Sequence, residues 1–86
     1  MNTRKETKMV TDRTIPLHDI YQAAYCSYQG IEVNLTKRDR RVIFNLPDTP
    51  ATFRALSDFN NNPTLPLLDY ITHLKRLRAL MISMRG

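Results

Sequence analysis

Apolar residues recur along this chain with two periods, every third or fourth residue in some stretches and every second in others. The changes of period divide it into five elements. From Pro16 to about Gln29 the helical period places Leu17, Ile20, Ala23, Ala24, Ser27 and Tyr28 on one broad face, bordered by Tyr21 and Tyr25. His18, Asp19, Gln22 and Gln29 fall opposite, with Cys26 toward the same polar side, and Gly30 stands where a helix stop belongs. Pro16, with its fixed φ, suits the first helical turn. The period then drops to two. Ile31, Val33 and Leu35 alternate with Glu32, Asn34 and Thr36, and Val42, Phe44 and Leu46 alternate with Arg41, Ile43 and Asn45. A hairpin turning over Lys37–Arg40 would pair Leu35 with Val42, Val33 with Phe44 and Ile31 with Leu46, keeping every apolar member of those pairs on one face.

Pro47 ends the second strand, and Thr49-Pro50 reads as an N-cap followed by a first helical residue. The helix so opened is expected to bury Phe53, Leu56 and Phe59 before Asn60-Asn61-Asn62-Pro63 breaks it. A last helix is expected from about Pro66 to Met84, with Leu67, Tyr70, Ile71, Leu74, Leu77 and Met81 on one face. Asp69, Thr72, Arg76 and Ser83 lie on the other. The predicted order is helix, strand, strand, helix, helix. This is an α+β fold, one small domain over residues 14–86 in which helices pack on the apolar face of a two-stranded antiparallel hairpin.

Length limits what such a domain can hold. At 86 residues a chain buries only roughly 60–65% of the surface it exposes when unfolded, so a deep ligand cavity would be costly. Residues 1–13 lack any apolar period and read as a disordered basic tail, with Arg4, Lys5, Lys8 and Arg13 against Glu6 and Asp12. No stretch approaches the length of a membrane span, and no apolar run follows the basic N-terminus as a signal peptide requires. A single cysteine, Cys26, excludes an internal disulfide and suits a reducing compartment, so a cytoplasmic location is expected. The net charge of +5 is modest for a nucleic-acid-binding domain, but it is unevenly placed.

Two blocks of residues resemble a known family. Asp19-Ile20-Tyr21-Gln22-Ala23-Ala24-Tyr25, with Gly30 five positions on, is similar to the D-L-Y-L-A-A-Y…G opening of a family of small bacterial domains of unknown function. Arg40-Arg41-Val42-Ile43-Phe44-Asn45-Leu46 and Asp48-Thr49 are similar to that family's R-R-V-x-F-x-F and D-T blocks. The closing helix, with Leu74-Lys75-Arg76-Leu77 near its middle, is similar as well. The resemblance covers about residues 14–82. It implies a shared small fold and no particular activity.

The residues themselves offer no catalytic set, metal cluster or cofactor motif. His18 and His73 are placed on helices without a His, Asp or Glu at ligand spacing, and two glycines cannot build a phosphate loop. The expectation is a non-catalytic module with no cofactor and no small-molecule substrate. Two surfaces are candidates for its work. The hairpin tip gathers Lys37, Arg38, Arg40 and Arg41 around Asp39, with Arg41 and Asn45 on the outer strand face, a shape suited to nucleic acid. The rival reading of that tip is a solvated turn whose charges discourage edge-to-edge aggregation. Tyr21, Tyr25 and Tyr28 form a stripe that could stack on bases, although its position beside the core arc favours half-burial. The last helix has an apolar arc wider than one hairpin can cover. Together with Ile43 it makes Leu77, Arg78, Leu80, Met81 and Met84 a candidate protein interface, with a partner or a second copy of the chain. A ribbon-helix-helix arrangement, with Arg41–Leu46 pairing to its twin in a dimer, is disfavoured because Ile31–Thr36 supplies a partner within the chain. A regulatory or protein-interaction module is the first reading, and a nucleic-acid-binding module the alternative.

Overall fold

The computed structural model describes residues 13–85. Its elements are β1 (Thr14–Leu17), α1 (Ile20–Tyr28), β2 (Asn34–Arg38), β3 (Arg41–Pro47), α2 (Pro50–Asn60) and α3 (Leu67–Arg85). The expected α+β fold is present, with one strand more than the pattern suggested. The sheet is three-stranded and antiparallel in the order β1-β3-β2. Of the expected tail, only Arg13 lies within the described residues.

The extra strand replaces the expected first helical turn. Thr14–Leu17 pairs with β3, Ile15 opposite Leu46 and Leu17 opposite Phe44. The Asp48 N–H donates to the Arg13 carbonyl at 3.2 Å, which continues this ladder by one pair. Because hydrogen-bonded pairs alternate, Val42, Phe44 and Leu46 direct their backbone groups to β1, and Arg41, Ile43, Asn45 and Pro47 direct theirs to β2. Pro16, opposite Asn45, therefore has its donorless nitrogen on the free edge, where a strand tolerates it. Helix α1 starts only at Ile20. Its N-cap is Asp19, whose carboxylate accepts from the Tyr21 N–H at 2.8 Å. His18 accordingly lies in the link between β1 and α1, not on a helix.

The hairpin is also shifted by two residues from the expected pairing. Leu35 lies opposite Phe44 rather than Val42, and Lys37 opposite Val42. The loop is the pair Asp39-Arg40, with Asp39 at φ 59°, a left-handed conformation that aspartate accepts more readily than most residues. A two-residue slip preserves the face of every side chain, so Leu35, Phe44 and Leu46 still point inward. What changes is the partner of Leu46, which is Ile15 from β1 instead of Ile31. Strand β2 begins only at Asn34 because the next hydrogen-bonded position on β3 is Pro47, which has no N–H to donate. β3 is central, paired on both sides, so no edge of it remains for a twin strand. That excludes the ribbon-helix-helix arrangement.

Helices α1 and α3 pack on one face of the sheet and α2 packs on α1, over a core of Ala23, Ala24, Tyr25, Cys26, Phe44, Leu46, Ala55 and Leu77. Cys26 is fully buried rather than polar-side, and Tyr25 is nearly so. Both are turned inward because α1 is sandwiched between α2 and α3. The two alanines let those neighbours approach closely. Helix α1 ends as expected: Gly30, at φ +89°, donates to the Ser27 carbonyl and Ile31 to the Cys26 carbonyl, the paired closure of a glycine C-cap. Thr49 caps α2, accepting from the Thr52 N–H at 3.3 Å, and Pro50 opens it. The buried residues of α2 are Thr52 and Ala55, with Leu56 and Phe59 packed beside them. Phe53, expected inside, is 55% exposed, since it lies one position off that stripe. Leu67 on α3 is likewise exposed, because it precedes the part of the helix that crosses α1. The bonds from Tyr70 to Tyr21 and from Arg76 to Ser27 span the same sequence separation, so α1 and α3 run side by side in the same direction.

Candidate nucleic-acid interface

Alternation along three strands leaves one sheet face without helices. Thr14 and Pro16 of β1, Arg41, Ile43 and Asn45 of β3, and Asn34, Thr36 and Arg38 of β2 share it. This face is polar apart from Ile43 and the two prolines Pro16 and Pro47, as expected of an antiparallel sheet with one solvated side. Asn45 is tied across it: its amide nitrogen donates to Thr36 Oγ1 at 2.9 Å and to the Asn34 carbonyl at 3.3 Å. Both amide protons are thereby used, and only the Asn45 carbonyl oxygen remains to meet a ligand.

The four basic residues at the tip do gather, but they divide between two faces. Arg38 and Arg41 are paired opposite one another on the open face. Lys37, opposite Val42, lies on the helix side, and Arg40 stands in the loop between them. Arg40 borders three concavities in succession. The largest, about 550 Å³, lies on the open face between Pro16, His18, Arg38, Arg41 and Ile43. A second, about 290 Å³, joins His18, Arg41 and Val42 to Met81 and Arg85 of α3. The third, about 300 Å³, joins Lys37 to Arg85. Two members of this basic end, His18 and Arg85, come from the β1–α1 link and the last turn of α3. Sequence spacing gave no signal for either, since only the third strand and the packing of α3 bring them to the hairpin.

The candidate protein-interface residues do not form one surface. Ile43 lies on the open sheet face, and α3 packs against the opposite one. Leu77 is buried in the core and presents nothing outward. Arg78 and Leu80 are exposed, whereas Met81 and Met84 are half-buried. The tyrosine stripe is divided as well. Tyr25 is interior against Phe59 at 5.9 Å, Tyr28 is half-buried, and only Tyr21 is exposed.

One polar cluster was not visible in the sequence. Ser27 Oγ, almost fully buried, lies 2.8 Å from His73 Nδ1 and accepts from Arg76 Nη2 at 3.0 Å. Arginine can only donate, so Ser27 Oγ spends one lone pair on Arg76 and shares its second bond with His73 Nδ1. Tyr28 meets the imidazole edge-on at 6.1 Å. A serine whose lone pair is engaged by a guanidinium, and which solvent barely reaches, is poorly set up as a nucleophile. Its role is to clamp α1 to α3. Burial pushes the Cys26 thiol up to about 11, which keeps it protonated and inert. Among the described residues there is no group of three His, Cys, Asp or Glu able to hold a metal ion, and no helix is long and apolar enough to cross a membrane.

No curated protein and no solved structure matches the chain. A family model does, over residues 12–83, which takes in every strand and nearly all of the helical sequence. The chain therefore belongs to the family described as Domain of unknown function (DUF5659).

Proposed function

We propose that this domain is a non-catalytic nucleic-acid-binding module that lays its open sheet face and basic end against a phosphate backbone. The observation that carries this reading is the convergence of Arg38, Arg40 and Arg41 with His18 and Arg85 around adjoining concavities at one end of the sheet. The β2–β3 hairpin, bare on one side, is a two-stranded ribbon of the kind that fits the major groove, and arginines at its end supply phosphate and base-edge contacts. The test is fluorescence anisotropy with a mixed-sequence DNA duplex and a single-stranded RNA at about 50 and 200 mM salt. Affinity should fall steeply with salt, and the paired change Arg40→Glu with Arg41→Glu should flatten the log–log slope by about one for each phosphate no longer neutralised. Unchanged affinity and slope in that variant would overturn the reading.

A second reading, a protein-interaction or regulatory module, is favoured by a separate observation: Phe53, Leu67, Leu68, Leu80 and Ile82 stand largely exposed on α2 and α3. Single exposed apolar residues are ordinary, but five on two helices suit a partner or a second copy of the chain. Light scattering across a hundredfold concentration range tests the second-copy form. Association that Ile82→Asp abolishes would support it, and a monomer throughout would count against it.

A further inference from the structure

Strand β2 is an edge of the sheet, and its leading segment Ile31–Val33 is not paired to β3, where Pro47 offers no donor. By the same alternation that turns Asn34, Thr36 and Arg38 toward β3, the backbone groups of Leu35 face away from the sheet. Among the described residues, the one backbone bond made by Ile31–Val33 outside the sheet is that of the Ile31 N–H to the Cys26 carbonyl. Helix α3 lies alongside this edge. Between them is an open groove of about 430 Å³ whose lining includes Ile31, Val33, Leu77 and Leu80, with Arg76 and Glu32 as its charged members.

Arg76 is the side chain that gives the groove a direction. One of its nitrogens is fastened to Ser27 Oγ at 3.0 Å, and Ser27 is in turn braced by His73, so the guanidinium is held at the Ile31 end. Among the described residues this is its one side-chain hydrogen bond, which leaves the remaining donors of a planar fork suited to a carboxylate. An unpaired edge, an apolar floor beside it and a braced arginine at one end together suit the capture of a chain terminus by strand addition.

From this we infer that the groove between β2 and α3 binds the C-terminus of a partner polypeptide, added antiparallel to β2. Its terminal carboxylate sits on Arg76, and an apolar last side chain rests on Val33 and Leu80, over the buried Leu77. Glu32, exposed between the half-buried Ile31 and Val33, favours a basic residue just before the terminus. The inference rests on the protein-interaction reading and names the chemistry of the partner. It is independent of the basic end of the sheet.

The test uses the full chain and a bead library of random hexapeptides displayed with free C-termini, alongside the same library amidated. Free-carboxylate beads should be enriched for leucine, isoleucine or valine at the last position. A selected peptide, fluorescein-labelled, should lose at least tenfold in affinity on amidation, on Arg76→Gln and on Leu80→Asp, and should be unaffected by Arg54→Gln. Circular dichroism establishes that each variant is folded, and Leu80, being about half exposed, tolerates replacement. Equal binding of acid and amide, or no enrichment in a folded protein, overturns the inference. In that case concentration-dependent self-association would still support the broader protein-interaction reading, so the two failures are distinct.

Discussion

Arg41, Ile43 and Asn45 alternate along β3 with Val42, Phe44 and Leu46, yet the two sets live in opposite surroundings. Phe44 and Leu46 are almost without solvent exposure, packed under α1 and α3. Arg41, Ile43 and Asn45 lie on a face that no helix covers. The inner set is held by packing, where each large apolar side chain contributes roughly 1.5–3 kcal/mol by burial. The outer set contributes little to that packing, so its chemistry is open to other uses. One strand thus separates what stabilises the domain from what it can present to a partner, and the division falls between neighbouring residues.

The comparison can be broken most forcefully from inside. Phe44→Ala should cost about 3–5 kcal/mol, which is comparable with the entire stability of many domains this small and should leave the chain largely unfolded in urea titrations followed by circular dichroism. A full-stability Phe44→Ala protein would mean that the inner face is not the core. A smaller effect comes from Cys26. Burial raises its thiol from 9.0 to about 11, so the folded chain keeps a proton that the unfolded chain releases. The resulting contribution to stability is complete below about pH 9 and is lost as pH rises toward 11. Urea midpoints at pH 8 and pH 10.5 should therefore fall further apart in the natural chain than in Cys26→Ala, and equal differences would contradict the burial. Removing the α2 cap with Thr49→Ala should cost about 1 kcal/mol by the same urea titration. The outer set should come last. Arg40→Glu with Arg41→Glu should shift stability by no more than about 0.5 kcal/mol per site while weakening the affinity proposed for nucleic acid and flattening its salt dependence. A large loss of stability there would erase the distinction between the faces.

Several of these features were legible along the chain. The helix stop at Gly30, the cap at Thr49-Pro50, the break at Asn60–Pro63 and the inward alternation of Val42, Phe44 and Leu46 are local signals, and each is realised where its residues stand. The misses share one cause. Thr14–Leu17 carries a weak pattern of its own and becomes a strand only because β3 offers it a ladder. The hairpin register moved by two residues because that shift leaves every side chain on its face, so hydrophobic patterning could not distinguish the alternatives. Phe53 and Cys26 changed sides because the angle at which a helix meets its neighbours is not encoded in its period alone.

The candidate sites divide in the same way. The arginines at the tip were evident as a run, but His18 and Arg85 joined them only through the third strand and the end of α3. The tie from Arg76 through Ser27 to His73 spans more than half the chain, and nothing local in either segment announces it. Local chemistry, set by backbone preference and by which residues avoid water, was determined by the sequence itself. The partners of each surface were decided by the tertiary structure, because contacts between distant segments depend on how whole elements pack rather than on any residue's own preference.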